Sequence, residues 1–216
     1  MRISEDYNFI FISRSQCAST TIRNVLDPYS DWKSTKRGLI KARNKKIITE
    51  NYMKGIFGYK GKPKLMDCRP HIKAPQLKKT MNDSGLDWEN FHSFTSVRNP
   101  WDRMVSRYEY GHKNEKSTYN KHVSNSDNFD EFLFSLHEAT EATFEDAAFD
   151  SRGNYLFDDI IKVENLEDDL NRITKKIGIV SVHIPHKNEN PRRKSITEYY
   201  SESSKEFVRE EYSFEI

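Results

Sequence analysis

Short apolar runs and segments with helical spacing alternate along the chain. The apolar or β-forming runs at residues 7–12, 92–97 and 158–163 predict three buried strands. Each run is followed by polar residues and then by apolar positions three and four residues apart, which is the spacing of an amphipathic helix. Because strands that alternate with helices favour parallel pairing, the pattern predicts an α/β fold in which a parallel sheet is flanked by helices on both faces.

Caps and breakers predict where the helices begin and end. A short helix through Ile22 is predicted to end at Asp27, before a proline. Asn99 caps the helix after the second strand, and Pro100 takes its first position. The apolar stripe of that helix consists of Trp101, Met104, Val105 and Tyr108. Further helices are predicted at residues 74–82, 129–136, 166–177 and 202–212.

The remaining segments have weaker patterns. Residues 30–70 are basic and interrupted by glycines, and we expect a loop-rich insertion there with at most one short helix around residues 38–48. Residues 111–126 are polar and are expected to be exposed. The sequence contains neither repeats nor a linker long enough to separate two domains, so residues 1–216 are predicted to form a single domain.

The composition narrows the class of protein. Of the 216 residues, 35% are hydrophobic and 31% are charged, and 13 Phe and 11 Tyr predict a core rich in aromatic side chains. The formal net charge of +2 argues against a general nucleic-acid binder. Cys17 and Cys68 form neither a disulfide framework nor a metal-ligand spacing. The sequence has no signal peptide or membrane-spanning run, so we expect a cytoplasmic protein.

The loop after the first strand, residues 13–19, is a candidate anion site. Backbone N–H groups converge between a strand and a helix N-terminus, where the helix dipole favours negative charge. Additional hydroxyl donors are available from Ser15, Ser19, Thr20 and Thr21. The loop has no glycine and does not match the G-x-x-x-x-G-K-[ST] phosphate loop, so an ordinary helix start stays the alternative.

A second candidate site lies where the second strand passes into its helix. Arg98 stands at the end of the strand. Asp102, Arg103 and Ser106 are predicted to project from the helix face opposite the apolar stripe. An arginine fork beside a hydroxyl suits a doubly charged phosphate monoester. The alternative is a structural ion pair of Asp102 with Arg98 or Arg103.

These two segments resemble a known family. Val-Arg-Asn-Pro-Trp-Asp-Arg-Met-Val-Ser-Arg-Tyr, residues 97–108, resembles the 3′-phosphate-binding motif of sulfotransferases, especially the carbohydrate sulfotransferase branch. The segment Cys17-Ala-Ser-Thr-Thr-Ile22 resembles the 5′-phosphosulfate loop of the same family. Further likeness follows in order at His71 and at residues 162–166, 186–190, 199–200 and 207–212. The resemblance covers nearly the whole chain, and residues 97–108 are its most specific part.

The resemblance implies a P-loop-like fold and an enzyme that uses 3′-phosphoadenosine 5′-phosphosulfate (PAPS). Such an enzyme transfers the sulfuryl group of PAPS to a hydroxyl and releases 3′,5′-adenosine bisphosphate (PAP). By the same resemblance, Arg98 and Ser106 hold the 3′-phosphate, and the basic residues Arg192 and Arg193 close over the cofactor. The residues implied at the 5′ end are Ser15, Cys17, Ala18, Ser19, Thr20 and Thr21.

The resemblance also suggests a base and an acceptor. His71 is the first candidate for the base that takes the acceptor proton, because histidine titrates near neutral pH. Asp67 and Glu164 are the fallbacks. A glycan hydroxyl is the expected acceptor, and no metal ion or nucleic-acid partner is implied. The identity of the acceptor, the sulfation position and the oligomeric state stay open.

The first loop departs from the family pattern. Gln16 stands where the family has a lysine, and Ser15 where it has a proline. In the family that lysine stabilises the leaving group, whereas Gln16 can donate a hydrogen bond but has no positive charge. We hypothesise that Arg14 supplies the missing charge. Two alternatives follow: a protein that binds PAPS or PAP without turnover, and a nucleotide or small-molecule kinase with an unusual phosphate loop.

Overall fold

The computed structural model describes residues 1–35, 38–41, 71–138, 144–180, 184 and 194–213. The chain separates into two compact units, each made of two stretches of sequence. The first unit consists of Met1–Val97 and Asp146–Pro185, and the second of Arg98–Glu145 and His186–Ile216. Within the described ranges, no helix has the length and apolar character needed to cross a membrane.

One mixed sheet forms the centre of the first unit. Its strands are β1 Arg2–Ser4, β2 Phe9–Ile12, β3 Trp32–Thr35, β4 Gly38–Lys41, β5 His92–Val97 and β6 Asp159–Lys162. Their order across the sheet is β4-β3-β1-β2-β5-β6. The predicted strands correspond to β2, β5 and β6, which are parallel neighbours, and this confirms the predicted α/β fold. On the other side of β2, the strands β1, β3 and β4 pair antiparallel.

The helices follow the predicted order along the chain. They are α1 Ser19–Leu26, α2 Ala74–Asp83, α3 Pro100–Lys113, α4 Thr118–Ser124, α5 Phe129–Glu138, α6 Phe144–Ala148, α7 Leu166–Lys176 and α8 Glu202–Glu211. Short 3₁₀ turns occur at Asp27–Tyr29, Trp88–Asn90, Val163–Asn165 and Ile196–Glu198. Asn99 caps α3 as predicted, because its side chain accepts a hydrogen bond from the N–H of Asp102.

Apolar side chains cover both faces of the sheet. Phe9 and Phe11 are two residues apart on β2 and therefore face the same side, where the rings of Phe11 and Phe94 have centroids 5.4 Å apart. Helices α1 and α7 cover this side with Ile22, Val25, Leu26, Leu170, Ile173 and Ile177. Ile10 and Ile12 face the opposite side and are 0% and 2% exposed, so that side is covered as well.

The parallel strands end at a common edge of the sheet. Ile12 at the end of β2 pairs with Thr95, and Lys162 at the end of β6 pairs with Val97. The hydroxyl of Thr95 also donates a hydrogen bond of 2.8 Å to the carbonyl of Ile12. In open α/β sheets, ligands bind beyond the carboxyl ends of the parallel strands. The loop that follows β2 therefore begins at the edge where a ligand is expected.

The structure differs from the predicted loop-rich insertion at Trp32–Thr35 and Gly38–Lys41, where β3 and β4 extend the sheet, and residues 42–70 of that insertion lie outside the described residues. The short helix predicted around residues 38–48 is wrong for 38–41, and 42–48 lie outside the described residues. Trp32 anchors β3, because it pairs with Ile3 and its indole N–H donates a hydrogen bond of 2.7 Å to Glu5. β3 has a single apolar residue, Trp32, and β4 begins with a glycine, so neither resembles the apolar or β-forming runs that predicted the parallel strands.

The second unit is helical. Its buried core consists of Met104, Val105, Tyr119, Val123, Phe129, Phe132, Leu133, Leu136, Tyr200 and Val208. The exposure predicted for residues 111–126 is confirmed at Lys113, Glu115 and Lys116. It is wrong at Gly111, Tyr119 and Val123, because α3 continues to Lys113 and α4 buries Tyr119 and Val123. Gly111 permits this contact, since a Cβ at that position would lie 2.6 Å from the Val123 Cγ2 atom.

Arg103 also differs from its predicted position on the polar face of α3. Its side chain is buried, and its Cζ atom lies 5.4 Å from the centroid of the Tyr212 ring. Arg107, one turn later, is buried over the ring of Tyr119 at 5.7 Å. Guanidinium groups are weakly hydrated and stack on aromatic faces, so they tolerate such positions. Arg103 is therefore part of the core of the second unit.

Candidate active site

The loop between β2 and α1 has an unusual backbone. Gln16 and Ala18 have φ angles of 58° and 52°, in the left-handed region that non-glycine residues rarely adopt. Each such residue costs about 1 kcal/mol or more, and such residues cluster at ligand-binding loops. Ala18 directly precedes α1, and no side chain caps the helix. Consecutive N–H groups in this kind of turn form a concave site for an anion.

Internal hydrogen bonds occupy the carbonyl oxygens of this loop. The hydroxyl of Ser19 donates to the carbonyl of Arg14, and the Cys17 thiol lies 3.4 Å from the carbonyl of Ser15. From the end of β5, the hydroxyl of Ser96 donates a hydrogen bond of 2.7 Å to the carbonyl of Cys17. These three carbonyls accept hydrogen bonds within the protein, and an anion can be held only by donors such as the loop N–H groups.

The side chains of the predicted 5′-binding set divide into two groups. The side chains of Cys17, Ser19 and Thr21 are buried. Because the Cys17 thiol does not reach the surface, this residue can offer a ligand only its backbone N–H. Thr20 is exposed, and the remaining residues are partly exposed. The polar side chains at the surface of the loop are therefore Arg14, Ser15, Gln16 and Thr20.

The structure brings His71 to the beginning of this loop. Its Nδ1 atom lies 2.8 Å from the carbonyl oxygen of Ser13, although 58 residues separate the two in sequence. A carbonyl can only accept, so Nδ1 must carry the hydrogen, and in the neutral ring the lone pair is then on Nε2. His71 has a φ angle of 64° and an exposed position. An imidazole oriented in this way has the tautomer that a general base requires.

Arg23 was not predicted as a site residue. From the second turn of α1 it reaches back, so that its Nε donates to the carbonyl of Ser19 at 3.0 Å and an Nη lies 3.4 Å from the Thr20 hydroxyl oxygen. Burial, followed by the neighbouring charge of Arg2, lowers the pKa of Arg23 below its usual value. The i, i+3 and i, i+4 spacing to Thr20 and Ser19 was the sequence signal that could have identified Arg23.

The second unit contains the other candidate site. Arg98 Nε lies 2.7 Å from Asp102 Oδ2, and the two side chains are 17% and 16% exposed. Asp102 and Ser106 are four residues apart on α3 and therefore share one face with the Arg98 guanidinium. A guanidinium has five N–H donors, so an ion pair with Asp102 leaves it the capacity to bind a phosphate. The ion pair considered as an alternative is thus present.

The remaining predicted site residues are Glu164, Asp67, Arg192 and Arg193. Glu164 is exposed in the 3₁₀ turn that follows β6. Arg192, Arg193 and Asp67 lie outside the described residues. Their predicted roles stay predictions, as do those of the loop residues, His71, Arg98 and Ser106.

Two comparisons with known proteins bear on the family and the fold. A family model described as the sulfotransferase family matches residues 1–214. The chain is also similar in fold to the crystal structure of mouse sulfotransferase SULT7A1 complexed with PAP, with a TM-score of 0.53 and 14% sequence identity. That match covers 98% of this chain and 85% of the mouse chain. No curated protein matches the sequence.

Proposed function

Because the chain belongs to the sulfotransferase family, we propose that it transfers the sulfuryl group of PAPS to a hydroxyl group of a carbohydrate. The enzyme is a PAPS-dependent sulfotransferase, and PAP is its nucleotide product. The assignment of a carbohydrate as the acceptor goes beyond membership of the family. It is supported by the likeness of residues 97–108 to the motif of carbohydrate sulfotransferases.

The observation that carries the proposal is the loop between β2 and α1. Three of its carbonyls accept internal hydrogen bonds, its backbone is left-handed at Gln16 and Ala18, and it leads into a helix without a side-chain cap. Such a loop suits an anion held by N–H groups and by the helix dipole. We assign it to the 5′-phosphosulfate of PAPS, with the exposed Thr20 hydroxyl as an additional donor.

The reaction breaks one bond to sulfur and forms another. The oxygen of the acceptor hydroxyl attacks the sulfur, and the bond from sulfur to the bridging oxygen of the 5′-phosphosulfate breaks. His71 Nε2 takes the proton of the hydroxyl, and the electron pair of the broken bond stays on the 5′-phosphate of PAP. The loop N–H groups and the guanidinium of Arg14 stabilise the charge that develops on that phosphate. The products are a sulfate ester and PAP.

Replacing Arg14 with alanine is expected to lower kcat by about 100- to 1,000-fold. The reason is that a charged donor to the leaving oxygen contributes about 3–4 kcal/mol to lowering the barrier, and Gln16 has no charge to replace it. The measurement is the steady-state rate of PAP release with saturating PAPS. Arg14→Lys should recover part of the rate, and Arg209→Ala, at an exposed arginine on α8, should not change it. If Arg14→Ala turns over normally, the hypothesis that Arg14 replaces the family lysine is wrong.

PAP is expected to stabilise the protein more strongly than AMP does. At a concentration 100 times its dissociation constant, a ligand that binds only the folded state adds about 2.7 kcal/mol to the free energy of unfolding. AMP lacks the 3′-phosphate assigned to Arg98 and Ser106, and should require a much higher concentration for the same stabilisation. Thermal unfolding with each nucleotide measures the difference. Equal stabilisation by PAP and AMP would contradict the assigned 3′-phosphate site.

A PAP-binding protein without turnover is the second candidate function. The observation that favours it is Gln16, which has no charge at the position of the family lysine. Labelled PAPS, incubated with the protein and an oligosaccharide panel, separates the two functions. Strong stabilisation by PAP together with no transfer to any acceptor would favour the second candidate.

A further inference from the structure

An exposed aromatic side chain lies on the hairpin that precedes β6. Tyr155 is 40% exposed, although its ring packs on other aromatic rings. The ring centroids of Phe149 and Phe157 lie 5.2 Å and 5.9 Å from that of Tyr155. Part of the Tyr155 ring is thus supported from within the protein, and part is available to a ligand.

The hairpin is held rigid by its own hydrogen bonds. Phe149 and Tyr155 form an antiparallel bridge across it. In the turn between them, one Asp150 carboxylate oxygen accepts from the N–H groups of Arg152 and Asn154, each at 2.9 Å. The Asn154 side-chain amide donates to the other oxygen at 3.0 Å. The position of Tyr155 is therefore fixed before any ligand binds, which reduces the entropy cost of binding.

Two contacts connect this hairpin with the candidate active site. Lys73, two residues after His71, lies 3.7 Å from the carboxylate of Asp146, which precedes the hairpin. On the other side, Arg14 lies close enough to Tyr155 for its charge to lower the pKa of that phenol. Burial outweighs this effect and raises the pKa of Tyr155 to about 12, so the ring is neutral at physiological pH. This neutral aromatic surface lies within electrostatic range of Arg14.

We propose that Tyr155 is the platform on which a sugar ring of the acceptor stacks, beside the loop assigned to the 5′-phosphosulfate. The inference rests on the proposed transfer to a carbohydrate hydroxyl. A pyranose has a face of C–H groups that are weakly positive, and the face of an aromatic ring is negative. Its hydroxyls extend from the rim of the sugar ring, so stacking leaves them available to polar groups. A site of this kind combines an aromatic surface with few polar groups, as small-ligand sites commonly do.

The test compares variants of Tyr155 that separate stacking from folding. Labelled PAPS is incubated with the full chain and an array of neutral and acidic oligosaccharides, with 2-naphthol as a phenolic acceptor. Tyr155→Leu retains apolar contacts with Phe149 and Phe157 but has no flat ring, whereas Tyr155→Phe and Tyr155→Trp retain one. We expect Tyr155→Leu to raise the KM of the sugar acceptor about tenfold or more. Tyr155→Phe and Tyr155→Trp should raise the KM of the sugar acceptor less than threefold. In all three variants, kcat and the stabilisation by PAP should change little.

Several outcomes would overturn the inference. An unchanged sugar KM in Tyr155→Leu would show that the ring does not contact the acceptor. Transfer to 2-naphthol and to no oligosaccharide, or to no acceptor at all while PAP still stabilises the protein, would overturn the sugar platform and leave PAP binding intact. A failure of PAP to stabilise the unmodified protein would instead contradict the proposed function itself. Val180→Ala, at a residue 96% exposed, is the control for a change in surface hydrophobicity.

Discussion

Replacing His71 with asparagine is expected to lower kcat for sulfuryl transfer by about 100- to 10,000-fold, the usual contribution of a positioned general base. His71 Nδ1 is 2.8 Å from the Ser13 carbonyl, so Nε2 is the atom that takes the acceptor proton. Asparagine is the informative substitution for two reasons. Its side-chain amide can donate to the same carbonyl, and it tolerates the left-handed backbone that His71 adopts at a φ angle of 64°.

The pH dependence of kcat distinguishes the loss of a general base from a disruption of the folded structure. With His71 as the base, kcat should rise with pH as the imidazole loses its proton, and this rise should be absent in His71→Asn. Stabilisation by PAP should be the same for both proteins, because the variant retains the loop. His137→Asn, at an exposed histidine beside Phe207, is the matched control. A variant that keeps both the rate and its pH dependence would exclude His71 and favour Asp67 or Glu164.

The parallel strands could be predicted because each lies in one short run of apolar or β-forming residues. β5 matches the predicted residues 92–97, and Asn99 and Pro100 mark the start of α3 by their local chemistry. The antiparallel strands β3 and β4 were missed, because β3 depends on pairing with β1 and β4 depends on pairing with β3. Such pairing is a tertiary interaction that local sequence does not encode.

Two errors on α3 and α4 have a common cause. Sequence patterns assign charged residues to the solvent and glycine to loops, and both assumptions fail in the second unit. Arg103 is buried against the ring of Tyr212, which is far away in sequence. Gly111 lies within a helix, because the backbone of Tyr119 and the side chain of Val123 approach it too closely for a Cβ. Long-range contacts decide both positions.

In the candidate site too, features that depend on neighbouring residues could be predicted, and contacts between residues distant in sequence could not. The loop at residues 13–18 could be predicted, since it depends only on a strand followed by a helix. The contact of His71 with Ser13 spans 58 residues, and no spacing rule predicts it. Family resemblance suggested His71, and the hydrogen bond adds its tautomer. Tyr155 has neither a local motif nor a resemblance, and only the hairpin geometry identifies it.

Replacing Arg98 with alanine is expected to weaken PAP binding by about 2–5 kcal/mol, or roughly 30- to 5,000-fold in Kd. An arginine can bind a phosphate dianion through two parallel N–H groups, which alanine cannot replace. AMP lacks the 3′-phosphate, so its affinity should change little. The measured quantity is therefore the ratio of the two dissociation constants, by calorimetry or thermal unfolding, in the unmodified protein and the variant.

The ion pair with Asp102 makes a second comparison necessary. Removing Arg98 leaves a carboxylate that is 16% exposed without this partner, and that alone can lower the stability of the second unit. Asp102→Ala breaks the same pair but leaves the guanidinium in place. If Arg98 binds the 3′-phosphate, Arg98→Ala should abolish the preference for PAP over AMP, and Asp102→Ala should largely retain it. Arg209→Ala, which breaks the exposed pair with Glu206, should affect neither. If both Arg98→Ala and Asp102→Ala lower stability equally and leave the preference unchanged, the Arg98–Asp102 pair is structural and the assigned 3′-phosphate site is wrong.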